Sequence, residues 1–371
     1  MAAPDNEPQH FGRIASMCRQ LNEDAGLVVW CNSSFVAKDL KKYLEDRGIR
    51  VQLESADSIL PCESKCILLY PHNVMECYSK WVRDSFVFGP LESDGSITVV
   101  NTSVPKESDA SWVENYLQKL QFDNGTRLHF LPYQTPGAGG NLMADGEVCL
   151  IGANQIGPEM QKESFRAAFL PGNNDKTPWK EVRGSSDRIP SRLAHLDLYL
   201  SFTGCTRNPP DRQIVFLAEC KFLGSSNQSI LRSEVESLNE YLNQVAFNLE
   251  EMGFDVVRNP APLLHNPENN ASYLCAINNC LVEVTQLSRT VWLPSLTCEQ
   301  ESYAHYQQLQ DVEKENAALW AELGFEVRIV EGNFHDLFDE IGALHCITNE
   351  LMREPPDCAL VNVDLLVYTN H

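Results

Sequence analysis

The hydrophobic and polar positions of the chain follow two different periods, which predicts a mixed α and β protein. Short apolar runs bounded by turn residues predict strands at residues 27–31, 66–70, 97–101, 148–152, 196–202, 214–222, 282–285 and 327–330. Apolar residues at helical spacing predict helices at residues 35–47, 111–121, 233–252 and 299–323. The predicted fold class is therefore α/β.

One local pattern recurs, in which a helix closes on a glycine and an alternating strand follows at once. Clear copies lie at Gly48, Gly253 and Gly324, and a looser copy lies at Gly125. Glycine takes the left-handed conformation that ends a helix without steric cost. The copies are separated by 77, 128 and 71 residues. The long middle interval predicts a missing copy near the Pro/Gly/Asn-rich segment 171–190.

Five αβ units of about 65 to 77 residues would fill the chain. If they close on themselves, they leave a central channel, and one face of it is the natural active site. The alternative, that this helix-glycine-strand connection is simply common in α/β proteins, stays open. No domain linker is evident. We therefore expect one domain over residues 1–371, with residues 1–20 as an irregular N-terminal segment.

The charge balance narrows the classes of partner. The 371 residues include 29 Lys and Arg against 51 Asp and Glu, a net charge of −22. Such a chain is a poor candidate for nucleic acids or anionic membranes, because phosphate contacts need cations. It would attract cationic molecules, although solubility explains the charge equally well. No uncharged apolar stretch approaches 18 residues, so no membrane span is expected.

The N-terminal sequence and the cysteines bear on compartment and cofactors. Residues 1–8 are not basic and no apolar run follows them, so we expect no export signal and a cytoplasmic protein. Most of the thirteen cysteines are then expected to be reduced and buried. The pairs Cys62/Cys66 and Cys275/Cys280 lack a second pair at zinc-finger spacing, so no metal or other cofactor is predicted.

Two short motifs offer polar side chains beside predicted strands. His195-Leu196-Asp197 opens a predicted strand, where residues i and i+2 face the same way, so His195 and Asp197 should project together. Trp81-Val82-Arg83-Asp84 precedes a strand-like run at residues 85–90, and Arg83 and Asp84 would face opposite ways. A partly exposed strand edge and a surface salt bridge are the simpler interpretations.

Two further motifs combine small residues with candidate chemistry. Gly139-Gly140-Asn141 permits a tight turn and close approach of backbone to a ligand, but no dinucleotide fingerprint or phosphate loop accompanies it. The late run Gly342-Ala343-Leu344-His345-Cys346-Ile347-Thr348 holds Cys346, a candidate nucleophile if a base lies nearby. On an extended strand His345 would point away from Cys346, so the two are not paired. A plain turn and one cysteine among thirteen are the simpler interpretations.

In this order and at these separations, the four motifs resemble the guanidino-group-modifying (pentein) enzymes. The resemblance is greatest to the branch of agmatine deiminases and bacterial peptidylarginine deiminases. The matches extend from Trp81 to Thr348, and the run Gly342–Thr348 is the most specific. The stretch Ala271-Ser272-Tyr273, leading to Val291-Trp292-Leu293-Pro294, is similar in outline. The resemblance implies a five-bladed αβ propeller, which agrees with the repeat spacing.

The resemblance also implies a reaction and roles for individual residues. The substrate would be a cationic guanidino group, on a small molecule or on a peptide arginine, and two carboxylates, Asp84 and Asp197, would each accept paired N–H bonds from it. Cys346 would attack the guanidinium carbon, and His195 would protonate the departing ammonia and then activate water. The products would be a ureido group and ammonia, with no metal required. Candidate substrate-binding residues are Asp84, Asp197, Trp81, Arg83 and Asn141.

Two departures from the family pattern bear on substrate and activity. Family members often carry Glu immediately before Gly-Gly-Asn, where this chain has Ala138, and an Asn shortly after Ser-Tyr, where this chain has Cys275. Three functions therefore stay open: a deiminase of agmatine, arginine or peptidyl-arginine, an amidinotransferase with the same Cys/His/Asp set, and an inactive member that binds guanidino ligands or another protein. The sequence leaves the substrate, the oligomeric state and the role of residues 171–190 open.

Overall fold

A computed structural model gives the fold of most of the chain. It describes residues 2–3, 8–21, 27–31, 33–53, 60–61, 67–71, 86–91, 96–101, 120–121, 127–131, 139–144, 148–152, 179–182, 189–207, 212–223, 229–266, 270–284, 288–297, 305–348 and 361–363. The predicted mixture of helices and strands is confirmed.

The helices of the described residues are amphipathic. They are α1 (Pro8–Gln20), α2 (Ser34–Glu45), α3 (Ser229–Glu251), α4 (Tyr306–Glu322) and α5 (His335–Asp339). In α3 the buried side chains recur every three or four residues, at Leu231, Val235, Leu238, Leu242, Val245 and Leu249. α2 begins where the Ser33 hydroxyl accepts a hydrogen bond from Val36 N. Within the described ranges no helix is both long enough and apolar enough to span a membrane.

The strands are mostly short. They are β1 (Ala2–Ala3), β2 (Leu27–Cys31), β3 (Gln52–Leu53), β4 (Leu60–Pro61), β5 (Ile67–Pro71), β6 (Phe86–Leu91), β7 (Ser96–Asn101), β8 (Leu120–Gln121), β9 (Arg127–Leu131), β10 (Leu142–Ala144), β11 (Cys149–Gly152), β12 (Trp179–Val182), β13 (Leu200–Arg207), β14 (Arg212–Phe222), β15 (Asp255–Asn266), β16 (Ala271–Leu274), β17 (Leu281–Val284), β18 (Arg289–Pro294), β19 (Glu326–Val330) and β20 (Val361–Val363). Short 3₁₀ turns lie at Gly139–Asn141, Ser191–Leu193 and Leu196–Leu198.

Four sheets repeat one topology. Each contains an antiparallel pair of consecutive strands and then a third strand that returns parallel to the second. The four sets are β6-β7-β9, β10-β11-β12, β13-β14-β15 and β17-β18-β19. A parallel return needs a crossover connection, and the described crossovers are α3 and α4. A further sheet pairs β2, β5 and β3 in parallel around α2.

The predicted glycine ends of the helices are confirmed where they are described. Gly48, Gly253 and Gly324 have φ of 75°, 96° and 81° and follow α2, α3 and α4. In each case the residue after the glycine donates its N–H back to the helix, as Phe254 N does to Leu249 O at 3.0 Å. Gly125 lies outside the described residues. β12 lies within segment 171–190, where the missing copy was expected.

The N-terminal segment differs from the expectation of an irregular stretch over residues 1–20. Residues 8–20 form α1, whose apolar side chains Phe11 and Ile14 are buried. Arg13 is also fully buried, and its guanidinium donates to Asn333 O and Asp336 and to His10 Nδ1 at 2.9 Å. Because the charged residue Arg13 lies on the buried side of α1, the apolar positions alone do not show a helical period.

Three other predicted elements need correction. The strand expected over residues 196–202 begins only at Leu200, because residues 196–198 form a 3₁₀ turn. The helix expected over residues 299–323 begins at Tyr306, after His305 with φ of 73°, and residues 298–304 lie outside the description. Of the helix expected over residues 111–121, only Leu120–Gln121 is described, and it forms β8.

The glycine after α3 provides a test of the repeated helix end. Gly253 has a positive φ, and an added Cβ would meet nothing within 4 Å, so the cost of a side chain is purely conformational. We expect Gly253→Ala to lower the free energy of unfolding by about 1–2 kcal/mol in urea titrations. The control is Gly12→Ala inside α1, whose added Cβ would approach Tyr43 Oη no closer than 3.9 Å. It should be neutral or stabilising, and equal losses in both variants would contradict this account.

Candidate active site

Two turns that are far apart in the sequence meet at one buried carboxylate. Residues 344–347 form a turn after α5, and Cys346 Sγ lies 3.3 Å from Asp197 Oδ2 across a separation of 149 residues. The ligand atoms of His195, Asp197 and Cys346 all lie within 4.8 Å of one another. The fold thus brings together three of the four predicted catalytic residues.

The turn that carries His195 and Asp197 is fixed by a buried amide. His195 is extended, with φ −119° and ψ 149°, and the chain then enters the 3₁₀ turn at Leu196–Leu198. Asn141 Oδ1 accepts the N–H of Leu196 at 3.0 Å, and Asn141 is 2% exposed. The two side chains therefore reach the same group, as predicted, although the backbone between them is not a strand.

The Gly-Gly-Asn motif approaches this turn at close range. A Cβ on Gly140 would lie 2.9 Å from His195 Nδ1 and 3.0 Å from each carboxylate oxygen of Asp197. A Cβ on Gly152 would overlap the Asn141 amide. The glycines thus permit a close approach to the site residues. The observed bond of Asn141 positions the turn, and its role in substrate binding stays a prediction.

Asp197 is the most constrained group of the site. It is 1% exposed, and Oδ2 accepts both the Cys346 thiol and His345 Nδ1, the latter at 2.8 Å. Burial raises the pKa of Asp197, but the hydrogen bond and charge of His345, followed by His195 and Cys346, outweigh it and hold the pKa below its usual value. Oδ1 of Asp197 and Nδ1 of His195 are buried without a hydrogen-bond partner among the described residues.

The prediction that His345 points away from Cys346 is wrong. It assumed an extended strand, whereas residues 344–347 form a turn that directs both His345 and Cys346 towards Asp197. Within a turn, neighbouring residues need not alternate between opposite faces as they do along a strand. The site therefore contains two histidines, and sequence reasoning used only one.

Asn279 is a second residue that sequence reasoning missed. It is fully buried, its Nδ2 donates to Cys346 Sγ at 3.0 Å, and its Oδ1 accepts from Cys346 N at 3.0 Å. Its carbonyl accepts from His345 N at 3.1 Å. The sequence does contain a signal for it, since the pair Asn278-Asn279 lies inside the apolar run 273–282. Amides buried in such a run need hydrogen-bond partners, which indicates a specific role.

The neighbouring Asn278 anchors this turn to the sheet. Its Nδ2 donates to Tyr199 O at 2.8 Å, and its Oδ1 accepts from Asn259 on β15 at 2.8 Å. Ser201 on β13 donates to the Asn278 carbonyl at 2.9 Å. These satisfied buried polar groups make the position of Asn279, and hence of the Cys346 sulfur, a property of the fold.

The remaining predicted site residues cannot be placed on this geometry. Trp81, Arg83, Asp84 and Ala138 lie outside the described residues. Of segment 171–190, the structure describes β12 and the last two residues.

The described cysteines separate into one reactive candidate and an inert group. All seven are free. Burial raises the pKa of the Cys18, Cys31 and Cys220 thiols to about 12, so they remain thiols at neutral pH. Cys346 instead lies among a carboxylate, two histidines and an amide donor. By distance, His195, Asp197 and Cys346 could also hold a metal ion.

The amide next to the sulfur gives a prediction that needs no substrate. Asn279→Asp keeps an oxygen for Cys346 N but replaces the donor to Sγ with a negative oxygen, which opposes the thiolate. We expect alkylation of Cys346 by iodoacetamide at pH 7 to slow by about tenfold or more, with the half-maximal rate moving to higher pH. Mass spectrometry of the Cys346 peptide measures this rate. Asn243→Asp on α3, which keeps the oxygen that accepts from Arg258 Nη1, is the control. An unchanged rate in Asn279→Asp would contradict the assigned contact.

Comparison with known proteins gives a match by structure and none by sequence. No protein-family model and no curated protein sequence matches the chain. C. jejuni agmatine deiminase is similar in structure, with a TM-score of 0.60 and 13% identity over 93% of this chain and 90% of that chain. A Cys-to-Ser variant of C. jejuni agmatine deiminase with substrate bound has a TM-score of 0.55 and 12% identity over 93% of this chain and 86% of that chain. The chain therefore has the α/β fold seen in these two agmatine deiminase structures.

Proposed function

We propose that the chain is a guanidine deiminase, which hydrolyses a guanidino group to a ureido group and ammonia. The observation that carries the proposal is the meeting of Cys346, Asp197 and His195 within 4.8 Å around a buried carboxylate. A thiol nucleophile, a proton carrier and an anion for a planar cation are the parts this reaction needs. The fold similarity to agmatine deiminase supports the same class.

In this proposal Asp197 binds the substrate through one oxygen. Oδ2 already has two partners, His345 and Cys346, whereas Oδ1 is buried without one among the described residues. A guanidinium N–H directed at Oδ1 would satisfy that oxygen and form a charge-assisted hydrogen bond. This differs from the paired N–H bonds expected from the sequence, because half of the carboxylate is occupied.

Cys346 then acts as the nucleophile and His195 as the proton carrier. The Cys346 thiol passes its proton to His195, and the sulfur bonds to the guanidinium carbon. The C–N bond then breaks as His195 delivers that proton to the departing NH2 group, which leaves as ammonia. His195 next removes a proton from water, whose oxygen attacks the thiouronium carbon and expels the sulfur. The Asn279 amide donates to that sulfur at 3.0 Å, where it stabilises the negative charge at the start and the end of the cycle.

Other parts of the site follow from the family resemblance. We infer that Asp84 is the second carboxylate and that Trp81, Arg83 and Asn141 contact the substrate. We also infer one propeller domain, in which the four repeated sheets and the β2-β5-β3 sheet are the five blades. A cytoplasmic location and the absence of nucleic-acid or membrane partners remain parts of the same proposal.

The departure at Cys275 is compatible with activity. Cys275 is fully buried, and burial raises the pKa of its thiol, so it acts as a small apolar residue. The amide beside the reactive sulfur comes from Asn279, in the turn that follows β16. A nearby Asn is therefore present although the family position holds cysteine.

Product release tests the proposal and names the substrate class. We expect ammonia and a ureido product from agmatine, arginine or an arginine-containing peptide, and a loss of about 10³-fold or more in Cys346→Ala. Cys18→Ala, which changes a half-buried cysteine of α1, is the control and should retain the rate. Turnover that survives in Cys346→Ala would reject the nucleophile. Amidino transfer to an added amine without ureido product would identify an amidinotransferase, and binding without turnover an inactive member.

A chelator distinguishes this chemistry from metal catalysis. The proposed reaction uses the sulfur and His195 directly, so we expect excess EDTA to leave the rate of ammonia release unchanged. The assay compares EDTA-treated and untreated enzyme. Activity lost with EDTA and restored by added Zn²⁺ would show instead that His195, Asp197 and Cys346 hold a metal ion in the active enzyme.

A further inference from the structure

His345 is a second histidine of the site that the proposed reaction leaves without a role. Its Nδ1 lies 2.8 Å from Asp197 Oδ2, and its side chain is 14% exposed, against 1% for Asp197. His195 lies near the same carboxylate, but its buried Nδ1 has no hydrogen-bond partner among the described residues. His345 therefore forms a direct hydrogen bond to Asp197, whereas Nδ1 of His195 does not.

Both the N–H and the carbonyl of His345 form hydrogen bonds, so the backbone position from which its imidazole extends is fixed. His345 N donates to Asn279 O at 3.1 Å. Its carbonyl accepts from Thr348 N and from Thr348 Oγ1, each at 3.3 Å. Because Cys346 follows directly and is held by the Asn279 side chain, the imidazole and the sulfur are placed by the same turn.

The hydrogen bond from His345 determines which oxygen of Asp197 is available to a ligand. A buried carboxylate without a donor tends to take up a proton, and a protonated carboxyl is a poor partner for a cation. His345 provides that donor and occupies Oδ2. It leaves Oδ1, which is buried and unpartnered among the described residues, as the oxygen available to a substrate.

We propose that His345 is a positioning residue that holds the Asp197 carboxylate turned so that its Oδ1 receives the cationic substrate. This inference rests on the proposed function, because it needs a cation at the site. The two histidines then divide the work: His195 moves protons at the reacting carbon, and His345 acts only through Asp197. His345 forms no bond to the substrate and transfers no proton to it.

Two alkylating agents that both react with Cys346 test this role without assuming a physiological substrate. 2-Chloroacetamidine is a planar cation and iodoacetamide is neutral. In each case the sulfur displaces the halide as an S–C bond forms. The ratio of their second-order rate constants, measured on the Cys346 peptide, reports recognition of the cation by Asp197. The wild-type protein should favour the cation, compared with the ratio for free cysteine under the same conditions.

We expect His345→Ala to reduce this ratio by about tenfold or more, because a charged hydrogen bond to Asp197 is lost. His345→Leu keeps most of the side-chain volume and should show the same loss, so it replaces the alanine variant if that fails to fold. His345→Asn restores a short N–H donor and should recover the ratio to within about threefold. His265→Ala, an exposed histidine at the end of β15, is the control and should match the wild type.

A double-mutant cycle with Asp197→Asn shows whether His345 acts through the carboxylate. If it does, His345→Ala adds little to the loss already caused by Asp197→Asn. Additive losses, or a ratio in His345→Ala within about twofold of the wild type, would overturn the inference and leave the proposed function intact. A wild-type protein that does not favour the cation would overturn both.

Discussion

The site depends on one carboxylate oxygen, Oδ2 of Asp197, which joins two turns that are almost 150 residues apart in the sequence. Removing an ionised carboxylate from water costs several kcal/mol, and only well-placed donors offset that cost. Here the donors are His345 and Cys346, from adjacent positions of one turn. Both contacts require the turns to be fixed to within a fraction of an ångström, because hydrogen bonds weaken steeply with distance and angle. The surrounding fold therefore has to hold two loops as rigidly as it holds its strands.

Buried amides and one buried histidine provide that rigidity. Asn141 fixes the turn of Asp197, and Asn279, itself anchored through Asn278, fixes the turn of Cys346. His335 joins β16 to the segment that follows β18, since its Nδ1 bonds Tyr273 Oη and its Nε2 bonds Leu296 O, each at 3.0 Å. Burial lowers the pKa of His335, which keeps the ring neutral and able to accept from the tyrosine while it donates to the carbonyl. Each polar group is satisfied, so the network specifies one geometry instead of loosening the core.

Sequence patterns predicted the parts of this structure that depend on local chain properties. Periodicity found the strands around the site and the glycine ends of α2, α3 and α4, and the spacing of His195 and Asp197 found two residues that meet although the strand assigned to them is wrong. It failed for His345, because a turn and a strand direct neighbouring side chains differently. It failed for Asn279, because the partner of that amide lies 67 residues away. It failed for α1, because Arg13 is buried only through partners near residue 335. Long-range polar contacts leave little trace in local periodicity.

The hydrogen-bond donors around Cys346 and Asp197 suit a cationic substrate. A thiolate can be stabilised by a neighbouring cation, but a permanent cation would also repel a guanidinium that must approach the same sulfur. The donor beside Cys346 Sγ is instead the neutral amide of Asn279, which favours the thiolate without adding charge. The histidine that bonds Asp197 takes one oxygen and leaves the other for a ligand. With a net charge of −22, the chain as a whole also attracts cations. The guanidino substrate proposed here would bring its own positive charge to this sulfur, beside an amide donor that carries none.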